Sequence, residues 1–235
     1  MSDVLSPFQL GKHRLANRCA LAPLTNLQSP TGMVSDQETA WLRRCARGGF
    51  ALVSTAAAYV GADGRAWDGQ IGIDHDDKLP ALTQLAQALS DHGAVGIVQL
   101  FHGGVRASMP LTGARPWSAS EFTESTPDFV VPRAATSDDI ARVIAQFADA
   151  AARAERAGFA GVELHAAHGY LLSQFLSTTF NQRSDQWGGD ADGRARLVRA
   201  CLAAARAKTQ PGFLIGVRIS LEGAGFARGL DLDES

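Results

Sequence analysis

Between positions 163 and 170 the chain reads Glu163-Leu164-His165-Ala166-Ala167-His168-Gly169-Tyr170, bringing a carboxylate, two imidazoles and a phenol into one short segment. Two neutral imidazoles can donate hydrogen bonds to a single carbonyl or anionic oxygen, while a nearby phenol delivers a proton. His165 and His168 also have a spacing that suits a divalent metal ion. Against that, Glu163 precedes the first histidine, so no helix-borne H-E-x-x-H motif forms, and His13, His75, His92 and His102 are scattered along the chain. Two structurally satisfied histidines are the plain alternative.

Other chemistry-bearing residues sit inside apolar runs. Arg218 interrupts Leu214-Ile215-Gly216-Val217-Arg218-Ile219, and burying a guanidinium without a partner is costly, so it calls for an anion, an electron-rich ring, or an ion pair with Glu163. Gln99 lies in Gly96-Ile97-Val98-Gln99-Leu100-Phe101; its amide matches the edge of a heterocycle or, equally, loop backbone. Ala22-Pro23-Leu24-Thr25-Asn26 ends a further apolar run and offers backbone and a hydroxyl to the same mouth. No G-x-G-x-x-G fingerprint, Walker loop, G-x-S-x-G elbow or basic patch interleaved with aromatics occurs. An amide, a histidine pair with tyrosine, and an arginine at separate strand ends point to a planar heterocyclic ligand.

The elements that must carry these residues alternate between β-rich apolar runs and alanine-rich helical stretches, the pattern of parallel strands joined by crossover helices. Strands are expected at Arg18 to Leu24, Phe50 to Val60, Ala94 to Phe101, Phe159 to His165 and Phe213 to Ile219. The last is apolar enough to be read as buried on both faces. Helices are expected at Ser35 to Arg47 with a Ser35 cap and Glu38, Leu79 to His92, Ser137 to Ala157 and about Arg194 to Ala207. Phe8 to Leu15, with Gly11-Lys12 at its centre, suits a small hairpin plugging one barrel end. The long connections after the third and fourth strands are where barrel enzymes place function.

Composition narrows the classes. The 235 residues are 46% apolar and 20% charged, with net charge -2, so no global positive field gathers nucleic acid or anionic lipid. No run is long and apolar enough to span a membrane, and the N-terminus lacks a signal-peptide pattern. Three cysteines, Cys19, Cys45 and Cys201, lie far apart and form no C-x-x-C, which fits buried thiols in a reducing cytoplasm.

The segment Gly161 to Ser177, followed by Asn181-Gln182-Arg183-Ser184-Asp185 and Gly188-Gly189, strongly resembles the Old Yellow Enzyme family. Ala22-Pro23-Leu24-Thr25, Gln99-Leu100-Phe101-His102-Gly103-Gly104 and Val217-Arg218-Ile219-Ser220 extend the likeness along the chain. The resemblance implies an FMN-binding (β/α)8 barrel in which Pro23, Leu24, Thr25, Ala57 and Gln99 line the isoalloxazine, Thr25 near N5 and Arg218 near N1. It further implies that His165 and His168 bind the carbonyl oxygen of an α,β-unsaturated substrate, that Tyr170 protonates the α-carbon, and that NADPH or NADH is the reductant. Trp187 stands where the family more often has Tyr, and Ala56 where an acidic residue is frequent.

Five strand-helix units occupy about 220 residues, whereas a closed barrel has eight and typically about 250 residues. Residues 1–235 are therefore expected to form a single incomplete barrel domain lacking strands six to eight, with 230–235 starting a helix. The family's FMN phosphate site lies in loops after strands seven and eight, so weak flavin retention and impaired activity are expected. A homo-oligomer or a complementing chain would cover the open edges.

Overall fold

The structure, a computed structural model, describes residues 3–220. The expected helix start at 230–235 lies outside them. A hairpin of β1 (Phe8–Leu10) and β2 (His13–Leu15) opens the chain, paired antiparallel around Gly11-Lys12 as expected. Then follow β3 (Ala20–Leu21), α1 (Asp36–Arg47), β4 (Leu52–Tyr59), α2 (Leu79–Ser90) and β5 (Val95–Phe101). A long connection carries the short α3 (Met109–Thr112) and a parallel pair, β6 (Trp117–Ser118) with β7 (Arg133–Ala134). The chain continues through α4 (Ser137–Arg156), β8 (Gly161–Ala166), α5 (Leu171–Leu176), α6 (Ala191–Ala207) and β9 (Leu214–Ile219).

Strands β3, β4, β5, β8 and β9 pair in that order, all parallel, as a half-barrel. Each successive pair is joined by a crossover helix, because parallel neighbours cannot be linked by a tight turn. Alternation along the strands sorts the side chains. Val98, Leu100, Val162 and Leu164 are at most 1% exposed and belong to one apolar cluster with Leu82, Leu89, Phe147 and Leu197 of the helices. Burying each such side chain is worth about 1.5–3 kcal/mol. The opposite parity, with Ala57, Gln99, Glu163 and His165, faces the barrel interior and mouth.

Local chemistry sets the helix ends. The Ser35 side chain accepts from the Glu38 N–H, but the Glu38 carboxylate does not complete a capping box; it takes a hydrogen bond from the Ser29 hydroxyl at 2.7 Å. The cap of α4 is Thr136, which forms a full box with Asp139. That carboxylate also holds Arg133 and Arg142. Helix α6 begins three residues before the expected Arg194, since Asp190 accepts from the Gly193 N–H at 2.8 Å.

Two strands differ from expectation. β3 covers only Ala20–Leu21 of the expected Arg18 to Leu24; Pro23 has no N–H to donate to a ladder. β9 is not buried on both faces: among the described strands it pairs only with β8, and Ile219 is 41% exposed. Apolar composition permits burial, but only a neighbouring strand or helix supplies it.

The pairing of β8 with β9 is unusually close at Gly161, where an added Cβ would lie 2.4 Å from the Leu214 Cβ and 2.5 Å from its carbonyl oxygen. Gly161→Ala should therefore destabilise the fold by about 1–3 kcal/mol, the usual range for overpacking. The urea midpoint measures this, and an unchanged midpoint would show that the two strands can separate freely.

Candidate functional site

Register aligns Ala57 of β4 with Gln99 of β5, and Gln99 with Glu163 of β8, in one row across the sheet. One step higher, His165 pairs with Arg218 of β9. Glu163 sits at the junction: its Oε1 accepts from Gln99 Nε2 at 2.7 Å and from Arg218 Nε at 2.8 Å. Of the alternatives for Arg218, the ion pair with Glu163 is thus formed, and the partner of Gln99 is this carboxylate rather than loop backbone. Nη2 also donates to Glu163 Oε2 at 3.5 Å, and the Arg218 side chain is 35% exposed, which leaves Nη1 open to a second acceptor.

A cavity of about 90 Å³ is lined by Pro23, Thr25, Ala57, Trp67, Gln99, His165, His168, Tyr170 and Arg218. This lining contains every residue that the resemblance assigns to the site except Leu24, which is 60% exposed; Glu163 lies behind it, on Gln99 and Arg218. A second cavity of about 360 Å³ shares Trp67, His168 and Tyr170 with the first and adds Arg106. The Arg106 guanidinium is held by Glu124 through two hydrogen bonds, at 2.8 and 2.6 Å.

His165 is 4% exposed, and its Nδ1 accepts from the Ala167 N–H at 3.3 Å. The proton of the neutral ring is therefore on Nε2, available as a donor. Burial, reinforced by His168 and Arg218, pushes the His165 pKa down to about 3. His168 packs edge-on against it with ring centroids 5.0 Å apart. Tyr170 is wedged against Phe101 at 4.5 Å and Trp67 at 5.8 Å. Burial raises the phenol pKa, with nearby Arg106 opposing that shift, so the group is protonated at neutral pH. The site thus combines two imidazoles, a protonated phenol, an amide and a guanidinium, arranged to bind a planar polar ring beside a smaller molecule bearing an electron-rich oxygen. Among the described residues no group of three or more His, Cys, Asp or Glu is placed to hold a metal ion.

Sequence reading missed Trp67 and Arg106. Trp67 lies in the loop after β4 and Arg106 just beyond β5, without the periodicity or motif that would mark either as facing the site. Only loop folding brings them to His168 and Tyr170.

Residues 3–234 match the family described as NADH:flavin oxidoreductase / NADH oxidase. The chain is 35% identical over 225 residues to an "NADH:fumarate oxidoreductase" of Klebsiella pneumoniae, covering 93% of this chain and 24% of that protein. It is 36% identical over 208 residues to an "NADPH dehydrogenase" of Listeria monocytogenes, covering 88% of this chain and 60% of the relative. Among solved structures it superposes on an Old Yellow Enzyme homologue from Zymomonas mobilis with TM-score 0.90 and 26% identity, covering 99% of this chain and 67% of that one. The chain spans about a quarter of the first relative's length and three fifths of the second's.

The electrostatics of His165 give a direct test. An unfolded imidazole titrates near pH 6.5, so the unfolded chain binds this proton more readily than the fold does, and stability falls as pH drops from about 6.5 towards 3. Proton NMR should show the His165 ring titrating near the low end of that window. A midpoint near the ordinary imidazole value would mean that the fold does not favour the neutral ring.

Proposed function

The chain belongs to the NADH:flavin oxidoreductase / NADH oxidase family, and from that premise we propose that it reduces the activated C=C bond of α,β-unsaturated carbonyl compounds, using FMN and either NADPH or NADH. The single observation that carries this reading is the convergence of His165, His168 and Tyr170 with Gln99 and Arg218 on one cavity. The residues present fit a flavin. Pro23 and Ala57 are uncharged walls for a flat ring, while the Gln99 carbonyl and the unengaged Arg218 N–H groups match the alternating acceptors and donors of a pyrimidine-dione edge.

Pro23, Thr25, Ala57, Gln99 and Arg218 would hold FMN, which when bound would supply the hydride-transfer chemistry between the nicotinamide and the substrate. Arg218 would stabilise negative charge on such a ring, and Glu163 fixes the direction of that guanidinium. His165 donates its Nε2–H to the substrate carbonyl oxygen, and His168 donates from the other side. Both give hydrogen bonds that strengthen as charge builds on that oxygen. Tyr170, protonated and uncharged, delivers the proton to the α-carbon, so that one hydride and one proton saturate the double bond. Trp67 and Phe101 form an apolar wall beside Tyr170, which keeps water from competing as proton donor.

The test separates the two half-reactions. With FMN added, NADPH or NADH should bleach the flavin, and 2-cyclohexenone should restore its colour without oxygen. Tyr170→Phe should leave bleaching within a few-fold while slowing alkene reduction by about 10²-fold or more. Equal alkene reduction in the variant would remove Tyr170 from its role, and a protein that neither takes up FMN nor oxidises the nicotinamide would overturn the reading as a whole.

A further inference from the structure

His168 adopts φ +59°, the left-handed region that residues with a Cβ rarely occupy, and Gly169 follows at φ +74°. Histidine visits that region more often than most residues with a Cβ, but it is still uncommon there. Three side chains hold it from outside. The Ser220 hydroxyl accepts the His168 N–H at 3.1 Å, and the Ser173 hydroxyl accepts the Gly169 N–H at 3.3 Å. The Gln174 amide donates to the Gly169 carbonyl at 2.7 Å and to the Gly103 carbonyl at 3.2 Å, while its oxygen accepts the Val105 N–H.

Ser173 and Gln174 are at most 1% exposed and belong to α5, directly beyond the segment they grip. Ser220 differs: it lies 52 residues away in sequence, two positions past Arg218 at the end of β9. Beyond the last ladder pair, Ala166 with Ile219, the hydrogen bond from His168 to Ser220 therefore links the end of the strand that carries the guanidinium to the loop that carries His168 and Tyr170. Strain retained at a site persists only where surrounding contacts enforce it.

We propose that Ser220 is a positioning residue: by holding the His168 N–H it keeps His168 in the left-handed conformation and so fixes the spacing between the His168 imidazole and Arg218, as strand register already does for His165. This rests on the function proposed above, but the geometry has a readout of its own. Because His168 is exposed, water can replace the serine hydroxyl, so loss of Ser220 loosens the segment without unfolding the chain.

The experiment compares Ser220→Ala with Ser220→Thr in the full chain with FMN added. Ser220→Ala should speed amide hydrogen exchange at His168 roughly tenfold. It should also lower kcat for 2-cyclohexenone about tenfold, as displaced donors do, with flavin bleaching by NADPH or NADH within twofold. Ser220→Thr, which keeps the hydroxyl, should restore both. Unchanged exchange in Ser220→Ala overturns the proposal, as does faster exchange with kcat unaltered, or a Ser220→Thr protein as impaired as Ser220→Ala. If the unaltered chain bleaches its flavin yet reduces no alkene, the proposed reaction falls, and the exchange comparison alone decides the role of Ser220.

Discussion

The Glu163 carboxylate is the contact on which the site depends. It stands on the middle strand of three and binds one polar group from each neighbour, the Gln99 amide from β5 and the Arg218 guanidinium from β9. A carboxylate taken from water is costly unless it is paired and hydrogen-bonded. Here three charge-assisted hydrogen bonds, two of them from Arg218, offset that cost and fix the rotamers of both partners. Gln99 and Arg218 are therefore held in fixed directions beside the cavity, as the proposed recognition of a flat heterocycle requires.

One position along the same face, the fold does the reverse. His165 shares the parity of Glu163 but has no carboxylate beside it, and burial together with His168 and Arg218 keeps its ring uncharged. Tyr170 is likewise kept protonated by burial. The barrel mouth thus separates a charged pair, suited to a cofactor edge, from neutral donors, suited to an oxygen whose charge changes during reaction. Neutral donors bind such an oxygen without trapping it as a permanent ion pair.

Much of this was legible in the sequence. The alternation of strand and helix runs marks the five strands of the half-barrel, though not the short parallel pair β6 and β7, whose two-residue strands carry no run to detect. The caps were read less well. Thr136, just before the expected start of α4, and Asp190, ahead of the expected start of α6, cap these helices, since a cap is defined by the hydrogen bond its side chain makes and not by residue type alone. The continuous apolar run of β9 was read as burial on both faces, yet its outer side lacks a described neighbour.

The sequence by itself determined which groups are present and, through the period of two along β8, that Glu163 and His165 share a face. It determined too that Arg218 needed a partner, because a guanidinium in an apolar strand has no other resolution. Only the tertiary structure decided that the partner is Glu163, that Gln99 shares the same oxygen, and that Trp67 and Arg106 join the cavity. It alone shows His168 held in a left-handed turn by Ser220. Those facts depend on register between strands and on the paths of loops, where contacts join residues more than fifty positions apart and local sequence carries no periodic trace of them.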